Sequence, residues 1–178
     1  AAHLEDRDIS VLDLTGISQK NGAVTADVRI GGGNRRLRAQ RIAAGEADLL
    51  LAYDLLTAGE ADTLRRTDCE RTRAIVNTYE QPAGTFAQDR DWEFPRQQIE
   101  DVLRAAVGDR YTGIDSTALA EQLLGSALAG NFLLLGYAWQ LGAIPLGVDA
   151  IERAIELNDV EVAQNLLENA LKYGGGGG

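Results

Sequence analysis

Methionine is absent from this 178-residue chain, which is unusual at that length, and cysteine and histidine occur once each, as Cys69 and His3. One cysteine excludes an internal disulfide and any cysteine-bound iron–sulfur cluster carried by this chain alone. It also fits a reducing compartment, so a cytoplasmic location is expected. One histidine argues against a histidine-rich metal site and against a local Ser–His–Asp triad. Positive charge is scarce: 17 Lys and Arg stand against 27 Asp and Glu, a net charge of −10. Such a chain is a poor partner for nucleic acid, whose affinity rests on neutralising phosphates. The basic residues cluster once, at Arg35, Arg36, Arg38 and Arg41, which reads as a solvated or interface segment. The longest apolar stretch, Leu123 to Trp139, is interrupted by glycines and Asn131, so no membrane span is read. The start, Ala1 to Asp8, is charged and not apolar, so no secretory signal is expected in it. Neither GxxxxGK[ST] nor GxGxxG occurs, and Gly31–Gly32–Gly33 leads into arginines instead of an apolar helix.

What is present is enough for a core. Apolar residues make up 45% and charged residues 25%, which excludes disorder and suits one folded domain. The run Gly174 to Gly178 is set aside as no part of the fold. Ala1 to Glu5 reads as the end of a helix. Ile9 to Leu14 and Ala23 to Ile30 read as strands; the second puts Val24, Ala26, Val28 and Ile30 on one face and Thr25, Asp27 and Arg29 on the other, a period of two. Leu37 to Ile42 is a short extended piece. Asp48 to Tyr53 (DLLLAY) is apolar throughout, as a strand covered on both faces would be. Asp54 caps a helix running to about Arg66, and Ala74 to Asn77 is another buried strand.

Pro95 opens a helix whose stripe is Ile99, Val102, Leu103, Ala106 and Val107, ended by Gly108. Tyr111 to Ile114 is a last strand. From Asp115 onward the pattern is helical, with stripes at Leu119, Leu123 and Leu124, at Leu128, Phe132, Leu135 and Trp139, at Val148, Ile151, Ala154 and Ile155, and at Val162, Leu166 and Ala170. Asn131 falls within an apolar face, where it needs a partner. Strands interleaved with helices predict an α/β sheet with helices on both faces plus a helical C-terminal tail.

The loop Thr15 to Val24 (TGISQKNGAV) carries the most chemistry. Gly16 and Gly22 allow tight turns or a close approach, and between them Ser18, Gln19, Lys20 and Asn21 are four consecutive hydrogen-bonding side chains with one cation. The loop follows a strand, at the carboxyl end where open α/β sheets place ligands. A ligand or an interface asks for such a segment, and a connecting loop tolerates it too. Asn77, at the head of Asn77–Thr78–Tyr79–Glu80, is a second candidate edge of a site, or the polar exit of a strand before Pro82.

The strings DLTGISQKNGAVTADVRI, GEADLLLAYDLL, RAIVNTYEQPAGTF and ALAGNFLLLGYAWQLGAIPLGVDAIERAIELN, in this order, resemble the gamma-type domain of 2-oxoacid:ferredoxin oxidoreductases, in the indolepyruvate ferredoxin oxidoreductase branch. QKNGAV and LLGYAWQLGAIPL are the most specific parts, and the likeness spans residues 1–173, read as a single domain. It implies a Rossmann-like layer that packs beside catalytic domains and helps wall their site. It implies a whole enzyme that decarboxylates an arylpyruvate-type 2-oxoacid on thiamine diphosphate and sends electrons through iron–sulfur clusters to ferredoxin. The acyl group usually goes to coenzyme A. Other domains or subunits hold these cofactors, and an oligomer is expected. Gly16, Ser18, Gln19, Lys20, Asn21, Gly22 and Asn77 become the candidate cofactor-facing residues. The family's first strand and its GGxGV turn would lie ahead of Ala1. Two other classes were weighed: a Rossmann-like binding module for a nucleotide-type ligand, and a self-sufficient hydrolase, which lacks a visible nucleophile–base pair.

From the cysteine count alone, the purified chain should show no iron–sulfur absorption band after anaerobic reconstitution with iron and sulfide; a stoichiometric band would contradict this.

Overall fold

A computed structural model describes residues 1–15, 24–32, 37, 39–80 and 94–158 of the chain. Two compact units form. The larger comprises Ser10–Arg29 and Arg38–Ile144, the smaller Ala1–Ile9, Ile30–Leu37 and Pro145–Gly178. Among the described residues no helix is long and apolar enough to cross a membrane.

The larger unit is built on three parallel strands in the order β3 (Leu49–Ala52), β4 (Arg73–Asn77) and β5 (Tyr111–Ile114). Leu49 pairs with Arg73, and Ala74 with Tyr111. The central strand β4 is apolar at three successive positions because both its faces are covered. Ala74 and Val76 pack with Leu55, Ala58, Leu103 and Val107 on one face, and Ile75 packs with Leu134 and Ala138 on the other. The first face belongs to α1 (Leu55–Ala58) and α3 (Arg96–Val107), the second to α5 (Gly130–Gln140). This is the α/β, Rossmann-like layer with helices on both faces that the sequence predicts.

Several expectations hold locally. Asp54 caps α1, its Oδ1 accepting from Thr57 N at 2.7 Å. Leu103 and Val107 are the buried line of α3, with Ile99 and Ala106 beside them, while Val102 faces outward. The helix expected from Asp54 to Arg66 is instead two short turns, α1 and α2 (Ala61–Leu64). Between them, a side chain at Gly59 would come within 2.8 Å of Ile99, so the break seats α3 against the backbone. Residues 37 and 39–42 form no strand, and Ala2–Glu5 is a single 3-10 turn.

Both helices after β5 turn a different side inward from the one expected. In α4 (Ser116–Leu124) the buried residues are Ser116 and Ala120, and Leu123 and Leu124 are exposed. In α5 the buried line is Gly130, Leu134 and Ala138, and Leu128 and Phe132 are exposed. Asn131 is exposed as well, so it does not sit in the buried face expected for it. The cause is close packing: a side chain at Gly130 would sit 3.1 Å from the backbone of Thr117, so the smallest residues mark the contact between α4 and α5. A helix apolar all round has no periodicity from which to choose a face.

The largest departure concerns β1 (Ile9–Thr15) and β2 (Val24–Ile30). They form a separate two-stranded sheet and are no part of the parallel one. Gly31 N donates to Asp8 O at 2.7 Å, which joins the residue after β2 to the one before β1, as in an antiparallel pair. The alternation in β2 is present but inverted. Val24 is 65% exposed, whereas Asp27 is 3% exposed. Asp27 Oδ1 lies 3.2 Å from Arg66 Nε, and its Oδ2 accepts from Ile42 N at 3.0 Å. Arg29, on the same side, donates to Arg41 O and pairs with Glu46. The polar side of β2 is thus the pinned side, and Val24, Ala26 and Val28 face out.

In the smaller unit, Gly147 N donates to Glu5 Oε1 at 2.6 Å and residues 148–158 are helical. The expected stripe at Val162, Leu166 and Ala170 lies outside the described residues.

Removing Asp27 takes from Arg66 its buried partner and leaves it only Asp62. Asp27→Ala is expected to cost about 3 kcal/mol in urea unfolding. Asp62→Ala, which removes the exposed partner of the same arginine, should cost less than about 1 kcal/mol. Equal effects would contradict the assignment.

Candidate functional site

The carboxyl ends of β3, β4 and β5 meet at one edge, the position at which open α/β sheets carry their sites. Three residue groups leave the strands there: Tyr53 and Asp54, Asn77 to Glu80, and Asp115 with Ser116. Asn77 organises them. Its Nδ2 donates to Tyr53 O at 3.2 Å and to Thr117 Oγ1 at 2.9 Å. Its Oδ1 accepts from Ser116 N at 3.1 Å and from Tyr79 N at 3.2 Å. Two amide hydrogens and two lone pairs are the whole capacity of an asparagine side chain. Asn77 therefore shapes the edge by tying β3, β4 and the start of α4 together, and all its positions are filled within the chain.

Two of the helices that begin at this edge, α1 and α4, are capped by carboxylates, whereas the start of α3 behind Pro95 carries no side-chain cap. Asp54 caps α1, and Asp115 Oδ1 accepts from Ala118 N at 2.8 Å to cap α4. A helix start already facing a carboxylate is a poor seat for a further anion. On the α3 side a ladder of ion pairs continues the edge. Arg96 lies 3.5 Å from Glu80 and 2.9 Å from Glu100, and Arg104 lies 2.9 Å from Glu100. Glu100 is buried between two arginines one helical turn away on each side. Arg104 also stacks on Tyr111, 4.8 Å from the ring centre.

The Tyr111 hydroxyl is buried, with no hydrogen-bond partner among the described residues, and it packs where a side chain at Gly113 would be. Burial chiefly, then the Glu100 charge, pushes its ionisation above the ordinary phenol range, against the opposing pull of Arg104 and Arg96. Burial likewise raises Tyr53. Among the described residues no group of three or more His, Cys, Asp or Glu side chains could hold a metal ion. What the described edge offers is a braced wall of capped helices and paired charges.

Of the sequence-predicted site residues, Asn77 lies at this edge. Gly16, Ser18, Gln19, Lys20, Asn21 and Gly22 lie outside the described residues. The premise for placing them at a carboxyl-end crevice needs correction: β1 pairs with β2 and not with the parallel sheet, so the segment joins the two strands of a hairpin. The ion-pair ladder was missed by sequence reasoning. Its signal was the spacing Arg96, Glu100, Arg104, three alternating charges at i, i+4 and i+8.

A parallel α/β layer with a braced carboxyl edge defines a Rossmann-like domain. By its sequence the chain belongs to the pyruvate ferredoxin/flavodoxin oxidoreductase family, whose family model matches residues 1–172. It is similar to the indolepyruvate oxidoreductase subunit IorB of Archaeoglobus fulgidus, with 30% identity over 169 residues, 94% of this chain and 79% of that protein. It is also similar to the subunit of the same name from Methanothermobacter thermautotrophicus, with 27% identity over 151 residues, 85% of this chain and 72% of that one. Both relatives fall in the branch to which the motifs point.

Two substitutions test the edge. Asn77→Ala leaves several buried backbone and side-chain groups unpaired, and a loss of about 3 kcal/mol in thermal unfolding is expected. A loss below 1 kcal/mol would contradict the clamp. Tyr111→Phe removes an unpartnered hydroxyl, so stability at pH 7 should change by less than about 0.5 kcal/mol. Because the folded-state pKa is raised, the contribution of Tyr111 is complete below the unfolded phenol value of about 10 and is lost as pH rises beyond it. The variant should lack that loss when unfolding is followed between pH 9 and pH 11, values that bracket it by about one unit on each side.

Proposed function

We propose that this chain is a non-autonomous subunit, or a fused domain, of a thiamine diphosphate-dependent 2-oxoacid:ferredoxin oxidoreductase with an indolepyruvate- or arylpyruvate-type substrate. It packs against the catalytic domains and helps wall their active site. The observation that carries this reading is the family match over residues 1–172, together with relatives whose names are those of a subunit.

The residues support this division of labour. A cluster needs about four thiolates, and the chain has one. The described carboxyl edge offers little to a diphosphate: carboxylates cap the starts of α1 and α4, and Arg96 and Arg104 are engaged by Glu80 and Glu100. In this reading thiamine diphosphate, the iron–sulfur clusters and, where it is used, coenzyme A belong to the partner domains or subunits, and ferredoxin is the electron acceptor of the whole, cytoplasmic enzyme. This chain contributes surface and position, and Lys20 contributes a positive charge beside the anionic ligands of the neighbouring domain.

The test is reconstitution. The chain alone should give no indolepyruvate-dependent reduction of ferredoxin, and adding the separately purified thiamine-binding subunit should restore it. In the assembled enzyme Lys20→Ala should lower turnover or apparent affinity about ten-fold or more. Full activity of the partner without this chain would overturn the reading. Tight calorimetric binding of a nucleotide by the isolated chain would favour the binding-module alternative.

A further inference from the structure

Among the described residues, the two hydrophobic clusters of the larger unit draw on β3, β4, β5, the helices packed on them and the adjoining turns. No side chain of β1 or β2 belongs to either cluster. Asp27 is the one buried residue described in the two strands, and Leu12 and Leu14 are half-buried. The contacts that tie β2 down are polar: Asp27 with Arg66 Nε and Ile42 N, and Arg29 with Arg41 O and Glu46. Arg66 is also held from the other side. Its Nη1 donates to Asp62 O at 2.7 Å, and its Nη2 lies 3.1 Å from Asp62 Oδ2.

We propose that the β1–β2 hairpin is a latched arm. It leaves and rejoins the parallel layer as one cooperative piece, with Asp27–Arg66 as the latch, while β3, β4 and β5 stay folded. Separating the pair returns both ions to water, so the desolvation cost of burying them is recovered and offsets the lost attraction. An element of the hydrophobic core gains nothing comparable on leaving, because it exposes apolar surface. Here Val24 and Val28 are exposed already, and lifting the arm adds chiefly the covered parts of Leu12 and Leu14. Closing is specific, since an Asp27 that missed Arg66 and Ile42 N would be buried without partners. The receptor is ready for it, because Asp62 keeps Arg66 in place when Asp27 is away. Few buried apolar contacts are the physical mark of a unit that opens at lower free energy than the whole. Two strands alone are marginal in water, so the amides of β1 and β2 lose protection once the arm is off the layer.

The experiment is native-state amide hydrogen exchange on the full chain at low urea, under conditions in which exchange reports the opening equilibrium. In the wild type, β2 and Ile42 N should exchange about ten-fold or more faster than β4, after correction for intrinsic rates. Ile75→Val trims the core against Leu134 and destabilises the layer equally with the arm latched or open. It should speed exchange of β4 roughly five-fold, the effect of an Ile to Val change in a core, and leave β2 unchanged. Asp27→Asn weakens the latched state and should speed β2 about ten-fold or more. Acceleration of β2 and β4 by the same factor in Ile75→Val would show one cooperative unit and overturn the proposal. So would wild-type β2 amides as protected as those of β4. Unchanged β2 exchange in Asp27→Asn would show that the pair is no latch, which overturns it as well.

Discussion

The buried pair of Asp27 and Arg66 is the constraint on which the surface of this protein depends. Burying an ion pair is weak evidence for stability, because the desolvation penalty offsets the Coulomb attraction. Here it fixes orientation. With Asp27 pinned by Arg66 Nε and Ile42 N, β2 cannot turn its valines inward, and Val24, Ala26 and Val28 stay outside. A chain that spends its buried polar groups in this way has an apolar face left over. At α4–α5 the inner line is Gly130, Leu134 and Ala138, and Phe132 is left exposed.

The parallel sheet is the opposite case, a finished structure. Ile75 and Val76 are fully buried, on opposite faces of β4, and Asn77 closes the strand by joining three elements through four hydrogen bonds. The helix starts at the carboxyl edge are satisfied by Asp54 and Asp115, and the neighbouring charges are paired from Glu80 to Arg104. A packed interior beside exposed apolar side chains is compatible with the proposed subunit role.

Much of the interior was legible in the sequence. DLLLAY and AIVN are short, apolar throughout and bounded by polar residues, and they are β3 and β4 as expected. Asp54 before an apolar turn is a cap, and Leu103 with Val107 is the inner line of α3. The departures in β2, α4 and α5 share one cause, which is that apolar residues do not all point inward. In β2 a long-range ion pair overrode alternation, and nothing near Asp27 in the sequence announces Arg66. In α5 every face is apolar, so only the close approach of Gly130 to Thr117 decides the inner side. Of the site, Asn77 was located, but its role as a clamp depends on Tyr53, Ser116 and Thr117, which lie far away along the chain.

The central claim is that the buried pair of Asp27 and Arg66 fixes the hairpin on the parallel layer. A double-mutant cycle of Asp27→Asn and Arg66→Gln, followed by urea unfolding of the full chain, tests it most directly. The account predicts a coupling of about 2 kcal/mol, within the range of residues in direct contact. A coupling below about 0.5 kcal/mol, the level at which separate sites simply add, would contradict it.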